Sequence, residues 1–170
     1  ALSDMRKFAL EQPGPVAVRY PRGEACGGLE ECREPLTLGK SEWLTHGTGL
    51  AILAVGSMVM TGEEVRKALQ AEGMNPSLVN MRFVKPLDTE RLDELARDHE
   101  TFVTLEENVL SGGMGEKVCS YLNAHCPKAQ VISIGIPDQF VGHGSVSQLK
   151  KQTHLDAEGI VCAIRERLVR

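Results

Sequence analysis

"LAILAVGSMVMTGEEVRKALQAEG", residues 50–73, changes texture at Gly56. Ahead of that glycine, residues 50–55 are apolar without interruption, as a strand buried on both faces requires. Beyond it, Met58, Gly62, Val65, Ala68 and Leu69 return on one helical face, while Glu63, Glu64, Arg66 and Lys67 fall off it. Gly73 stands where a helix takes a left-handed C-cap. A two-sided strand running into an amphipathic helix is half of a β-α-β unit.

The unit recurs downstream. "SLVNMRFV" (77–84) predicts a strand, and "KPLDTERLDELARD" (85–98) a helix with Pro86 and Asp88 near its start and Leu92, Leu95 and Ala96 inward. "TFVTLEE" (101–107) predicts a third strand, followed by the glycine cluster of "NVLSGGMGEKV" (108–118) and a helix burying Met114, Val118, Tyr121 and Leu122. "AQVISIGI" (129–136) predicts the fourth. The turn-rich "PDQFVGHGS" (137–145), a short helix near 145–153 and a terminal helix with Ile160, Val161, Ile164 and Leu168 inward complete the chain. Alternating strands and helices with short connections predict a mainly parallel sheet covered on both faces, an α/β fold of three layers, α/β/α.

Residues 1–49 break the rhythm. "LSDMRKFAL" (2–10) reads as the end of a helix and "GPVAVRYPRG" (14–23) as a strand leaving a turn. The acidic, glycine-containing "EACGGLEECREP" (24–35) has linker composition. One strand and part of a helix have nothing to bury their apolar faces against. The chain is therefore expected to be cut from a longer protein, entering near the end of one domain and containing the whole of the next.

Bulk composition narrows the class. The 170 residues are 42% hydrophobic and 25% charged, ordinary for a globular protein. A formal charge of −4 with scattered basic residues argues against nucleic acid or an anionic membrane as partner. No apolar stretch approaches the roughly 20 residues of a membrane helix, and the first fifteen residues lack a signal-peptide core. Five cysteines without C-x-x-C spacing fit reduced thiols in the cytoplasm better than disulfides or zinc.

Candidate chemistry is sparse. Gly113 and Gly115 supply the first pair of a dinucleotide fingerprint, but Val118 stands where its third small residue belongs. Lys117 follows Glu116 rather than Gly, so a Walker loop is absent too, and Glu106 and Glu107 would repel a phosphate. The plainer role for these glycines is close approach of helix to strand. Adjacent on a strand, Glu106 and Glu107 face opposite sides and cannot act together as an acid–base pair. Arg19 and Arg22, in "VRYPRGE" (18–24), lie near a strand end, where an arginine fork can take a phosphate. Two surface arginines are the simpler alternative. His143 lies in a turn with no nucleophile to serve, and His99 reads as a charge complement at a helix C-terminus.

The order of "GPVAVRYPRG", "LAILAVGSMV", "VNMRFVKPLD", "VTLEENVLSGGMG" and "GIPDQFVGHGS" is more specific than any one of them. Together they resemble the C-terminal part of the 1-deoxy-D-xylulose-5-phosphate synthases, thiamine-diphosphate enzymes of the transketolase superfamily. "EEN…GGMG" alone is shared with transketolases and 2-oxo acid dehydrogenase β-subunits, which are the alternative, besides a free-standing binding module. The resemblance implies a transferase that condenses pyruvate with glyceraldehyde 3-phosphate for isoprenoid, thiamine and pyridoxal synthesis. It implies that residues 1–25 end a pyrimidine-binding domain, 26–35 link, and 36–170 form a transketolase-type C-terminal domain. That domain would hold a five-stranded sheet whose first strand, at or just before "KSEWLT" (40–45), is antiparallel. Thiamine diphosphate and Mg2+ would belong to domains outside this chain, leaving the fragment inactive alone and without a cofactor, metal or catalytic residue of its own. Arg22 would hold the acceptor's phosphate, with Arg19 structural. Glu106, Glu107, Asn108, Gly112, Gly113 and Gly115 would face a neighbouring domain or the second subunit of a cytoplasmic homodimer.

Overall fold

A computed structural model of the chain describes residues 2–20 and 34–169. After a first helix, α1 (Leu2–Leu10), the chain forms β1 (Glu42–Thr45), β2 (Gly49–Ala54), α2 (Met58–Ala71), β3 (Ser77–Asn80) and α3 (Thr89–Leu95). It continues through β4 (His99–Val109), α4 (Met114–His125), β5 (Gln130–Ile136), α5 (Val146–Gln152) and α6 (Ala157–Leu168). The five strands make one sheet in the order β1-β3-β2-β4-β5. β1 runs antiparallel to β3, and every other pairing is parallel.

Continuous apolar strands need cover on both faces, and two separate cores provide it. Ile52, Leu78, Val103 and Ile132 pack under α2 and α6 with Val65, Leu69, Ile160 and Ile164. Their strand neighbours Ala51, Leu53, Val79 and Phe102 point the other way, toward α3 and α4, and meet Leu92, Leu95, Met114, Val118 and Leu122. This is the period-two alternation of a sheet applied to both surfaces. At about 1.5–3 kcal/mol for each large apolar side chain removed from water, these two layers are the main source of stability. Gly62 lets α2 sit close, since a Cβ there would lie 3.0 Å from Leu78 Cδ1.

Several elements differ from the sequence reading. The strand predicted over 77–84 ends at Asn80 because Arg82 turns into the left-handed region (φ 47°). Asn80 Oδ1 accepts the Arg82 N–H there (3.2 Å), and the Arg82 side chain is drawn to Glu42 and to the carbonyls of Glu34 and Pro35. Residues 14–20 form no strand, having no ladder partner among the described residues; 21–23 lie outside them. Leu168, expected inward, is 41% exposed at the fraying end of α6. Tyr121 is half-buried, its ring against the α3–α4 core and its hydroxyl on Asp93 (3.0 Å). His99 is nearly sealed from water: Nδ1 meets the Leu95 carbonyl (2.8 Å) and Nε2 the Ser77 hydroxyl (2.9 Å). A carbonyl only accepts, so Nδ1 carries a proton.

Candidate functional site

In an open α/β sheet ligand chemistry gathers at the carboxyl ends of two adjacent strands whose onward connections leave toward opposite edges of the sheet, where the strand order reverses. In this sheet those strands are β2, which leads to β3 on one side, and β4, which leads to β5 on the other. β2 feeds α2 on one face, and β4 feeds α4 on the other. β4 runs past the end of β2, which carries Glu106 and Glu107 out to the edge.

The two acids divide there as strand alternation demands. Glu106 turns toward α4 and is 2% exposed. Its oxygens accept the backbone N–H groups of Met114 (2.9 Å) and Gly115 (2.8 Å), the first turn of that helix. A negative charge at a helix N-terminus is favoured by the free N–H groups and the helix dipole. The glycines follow from this contact. A Cβ on Gly113 would fall 2.6 Å from Glu106 Oε1, and one on Gly115 would fall 2.5 Å from Thr104 Oγ1 and 2.9 Å from Ser133 Oγ. Gly112, in the left-handed region (φ 73°), turns the chain into the helix. Close helix–strand approach is thus what the cluster provides.

Glu107 turns to the other face and is only part-buried. Its carboxylate accepts a bond from the Ser57 hydroxyl, just ahead of α2, and pairs with Lys150 Nζ of α5 at 3.0 Å. Lys150 Nζ also approaches Thr61 Oγ1 (3.5 Å). Burial pushes the Glu107 carboxyl up, but the bonds from Ser57 and Lys150 and the charges of Lys150 and Arg19 outweigh it, leaving the group below its ordinary range. The Glu107 carbonyl accepts Arg19 Nη2 at 2.9 Å. Three elements and the N-terminal segment therefore meet at one residue.

Of the residues expected to carry function, Arg22 lies outside the described residues. Glu106, Gly113 and Gly115 are buried against one another, Asn108 is half-buried, and Gly112 is exposed. His143 is exposed in the loop after β5. Ser57, Thr61 and Lys150 were not singled out in the sequence. Ser57 carries a weak signal, a hydroxyl at the end of an apolar strand; Lys150, some forty positions from Glu107, carries none. Among the described residues no three His, Cys, Asp or Glu side chains converge as a metal would need.

The family profile described as "Transketolase, C-terminal domain" matches residues 39–160. The chain belongs to the transketolase C-terminal domain family. Similar curated proteins carry the name 1-deoxy-D-xylulose-5-phosphate synthase. That of Chlorobium luteolum is 43% identical over 167 residues, and that of Heliobacterium modesticaldum 43% over 166; each alignment covers 97% of this chain and 26% of the relative. The Aromatoleum aromaticum protein is 44% identical over 161 residues, 94% of this chain and 25% of the relative. This chain thus spans about a quarter of the length of the curated relatives it matches.

Among solved structures, one titled "Split gene transketolase, inactive beta4 tetramer" superposes with a TM-score of 0.84 at 31% identity, covering 98% of this chain and 54% of that one. A Pichia stipitis transketolase variant, R525L, shares the fold at a TM-score of 0.55 and 17% identity, covering 75% of this chain and 18% of that one. Within the family, then, this chain presents the sheet domain with its antiparallel first strand, and the Glu107 cluster sits at the sheet's carboxyl edge.

Proposed function

We propose that this chain is the C-terminal region of a thiamine-diphosphate-dependent synthase that joins pyruvate to glyceraldehyde 3-phosphate, forming 1-deoxy-D-xylulose 5-phosphate and CO2. The observation that carries the reading is the 43% identity across 97% of the chain to proteins of that name. Residues 1–25 then close a pyrimidine-binding domain, 26–35 link, and 36–170 form the C-terminal domain. The parent enzyme is cytoplasmic and works as a homodimer in the isoprenoid precursor pathway. Thiamine diphosphate with Mg2+, held by the preceding domains, supplies the chemistry that makes pyruvate's two-carbon unit nucleophilic. This chain supplies packing, dimer contacts through the 106–115 rim, and Arg22.

Arg22 takes the acceptor's phosphate through a charge-assisted fork. Holding that remote group places the aldehyde for attack, so phosphate binding is expressed as reaction rate. In full-length protein, Arg22→Ala is expected to raise the KM for glyceraldehyde 3-phosphate by tenfold or more, on the order of 1.5–3 kcal/mol for a charged hydrogen bond, while the KM for pyruvate holds. An unchanged acceptor KM removes Arg22 from the site.

The split-gene neighbour favours a second reading, a transketolase piece that self-associates and is inactive alone. Acceptor choice separates the two: the synthase condenses pyruvate with a triose phosphate, whereas a transketolase moves a ketol unit between sugar phosphates.

A further inference from the structure

β5 (Gln130–Ile136) ends the strand order, with β4 as its neighbour on one side. On that side the Ile136 carbonyl accepts the Leu110 N–H at 3.1 Å. Backbone groups alternate between the two sides of a strand, so Val131, Ser133 and Gly135 turn theirs away from β4. Among the described residues nothing bonds those outward N–H and C=O groups. Such a row is a template for another strand, and proteins blunt it with Lys, Pro or inward-pointing charges. Residues 129–136 carry none of these. Beside Ser133 an open depression of about 440 Å3 lies against Cys119, Ser120 and Asn123 of α4, which leaves an incoming strand room on that face. On the other face Ile134 and Ile136 are only partly covered by the α2–α6 core.

The nearest charges stand just outside this run, and they are placed symmetrically. Ser133 is the middle residue of β5; Lys128 stands five positions before it and Asp138 five after. Both are exposed, and neither has a partner among the described residues. An antiparallel copy related by a two-fold axis at Ser133 would set Ser133 against its own counterpart, Val131 against the partner's Gly135, and Ile132 against the partner's Ile134. It would also bring Lys128 to the partner's Asp138, twice by symmetry. Any other register parts these charges. We propose that the β5 edge is an interface between two copies of this chain, paired antiparallel in the register that sets Lys128 against the partner's Asp138. The two five-stranded sheets then run on as one. The proposal stands independently of the reaction proposed above.

Sedimentation velocity on the 170-residue chain should show a dimer that fills with concentration. Hydrogen exchange at the outward amides of Val131, Ser133 and Gly135 should slow as it fills. Lys128→Asp and Asp138→Lys should each weaken the dimer roughly tenfold, because like charges then meet at both ends of the pairing. The double exchange should restore it to within about twofold of the parent, since the charges then match again. Ser133→Pro removes the central outward donor without touching the β4 ladder, and should abolish the dimer. Circular dichroism checks the fold of each variant. Should the proline variant not fold, the two exposed charge positions outside the strand carry the test alone. A monomer at every concentration overturns the proposal. So do single charge variants that pair as well as the parent, or a double exchange no better than the singles. Outward amides protected only in the full-length protein, with this chain monomeric, give the edge to another segment of that protein and overturn it too.

Discussion

Glu106 places two acceptor oxygens where water hardly reaches, and its two backbone partners at the start of α4 are what make that tolerable. Glu106→Gln keeps the shape but turns one acceptor into an NH2 that faces a backbone N–H. It should cost about 2–3 kcal/mol, the scale of a buried polar group left unsatisfied together with a lost charged bond. A shift of the urea midpoint at unchanged slope would register it; a loss below 0.5 kcal/mol would mean that α4 does not depend on the carboxylate. That Glu106 and Glu107 face opposite ways was legible, because strand alternation alone requires it. Which acid is buried was not, since that is decided by α4 folding back over β4. The glycines were read by the same contact seen from the helix side, and there spacing sufficed: a near-miss phosphate motif flanked by acids leaves close packing as its use.

At the scale of elements, helices survived the passage from sequence to structure better than strand ends. The face of α2 was visible because its burial repeats every three to four residues, and packing against β2 and β3 obeys that period. Its polar side carries the pair Glu63–Arg66, joined at 2.6 Å. The Arg66 bond lowers the Glu63 carboxyl more than burial raises it, so the folded pKa lies below the ordinary value of 4.5. A depressed carboxylate adds stability above its unfolded pKa and loses it as pH falls through the folded one. Glu63→Gln should therefore be less stable than the parent at pH 7 by on the order of 1 kcal/mol, as for an i,i+3 helix pair whose carboxylate is largely covered. The gap should close toward pH 3; a constant gap in urea titrations at the two pH values would show that the charge is not the cause. The end of β3 was invisible for the opposite reason. "NMRFV" has strand composition, but Arg82 bends the chain to reach Glu42 and the carbonyls near residue 35, partners supplied from some forty positions away.

For the whole molecule, alternation of texture was enough for the class of fold, while the antiparallel β1 came only through resemblance and the strand order was not read at all, because period-two and period-3.6 patterns do not say which strands are neighbours. The two cores on either side of one sheet predict that residues 36–170 fold alone as a single cooperative unit. Trp43, the chain's one tryptophan, reports from β1 at the sheet's edge, stacked on His46 with ring centroids 4.1 Å apart. Its fluorescence and the far-ultraviolet signal should lose structure at the same urea concentration; separate transitions would split the domain. The strand order also bears on how the edge cluster comes into being. Ile52 and Leu78, or Val103 and Ile132, close a stretch of chain about half as long as the one between Ile52 and Val103. A doubled loop costs only about 0.6 kcal/mol more, a modest bias toward forming the β2–β3 and β4–β5 halves first and zipping the β2–β4 seam last. Ser57 follows from the first half and Glu107 from the second. A half-assembled chain would thus own helices and paired strands yet lack the bond between the Ser57 hydroxyl and the Glu107 carboxylate, which forms in the same event that finishes the sheet.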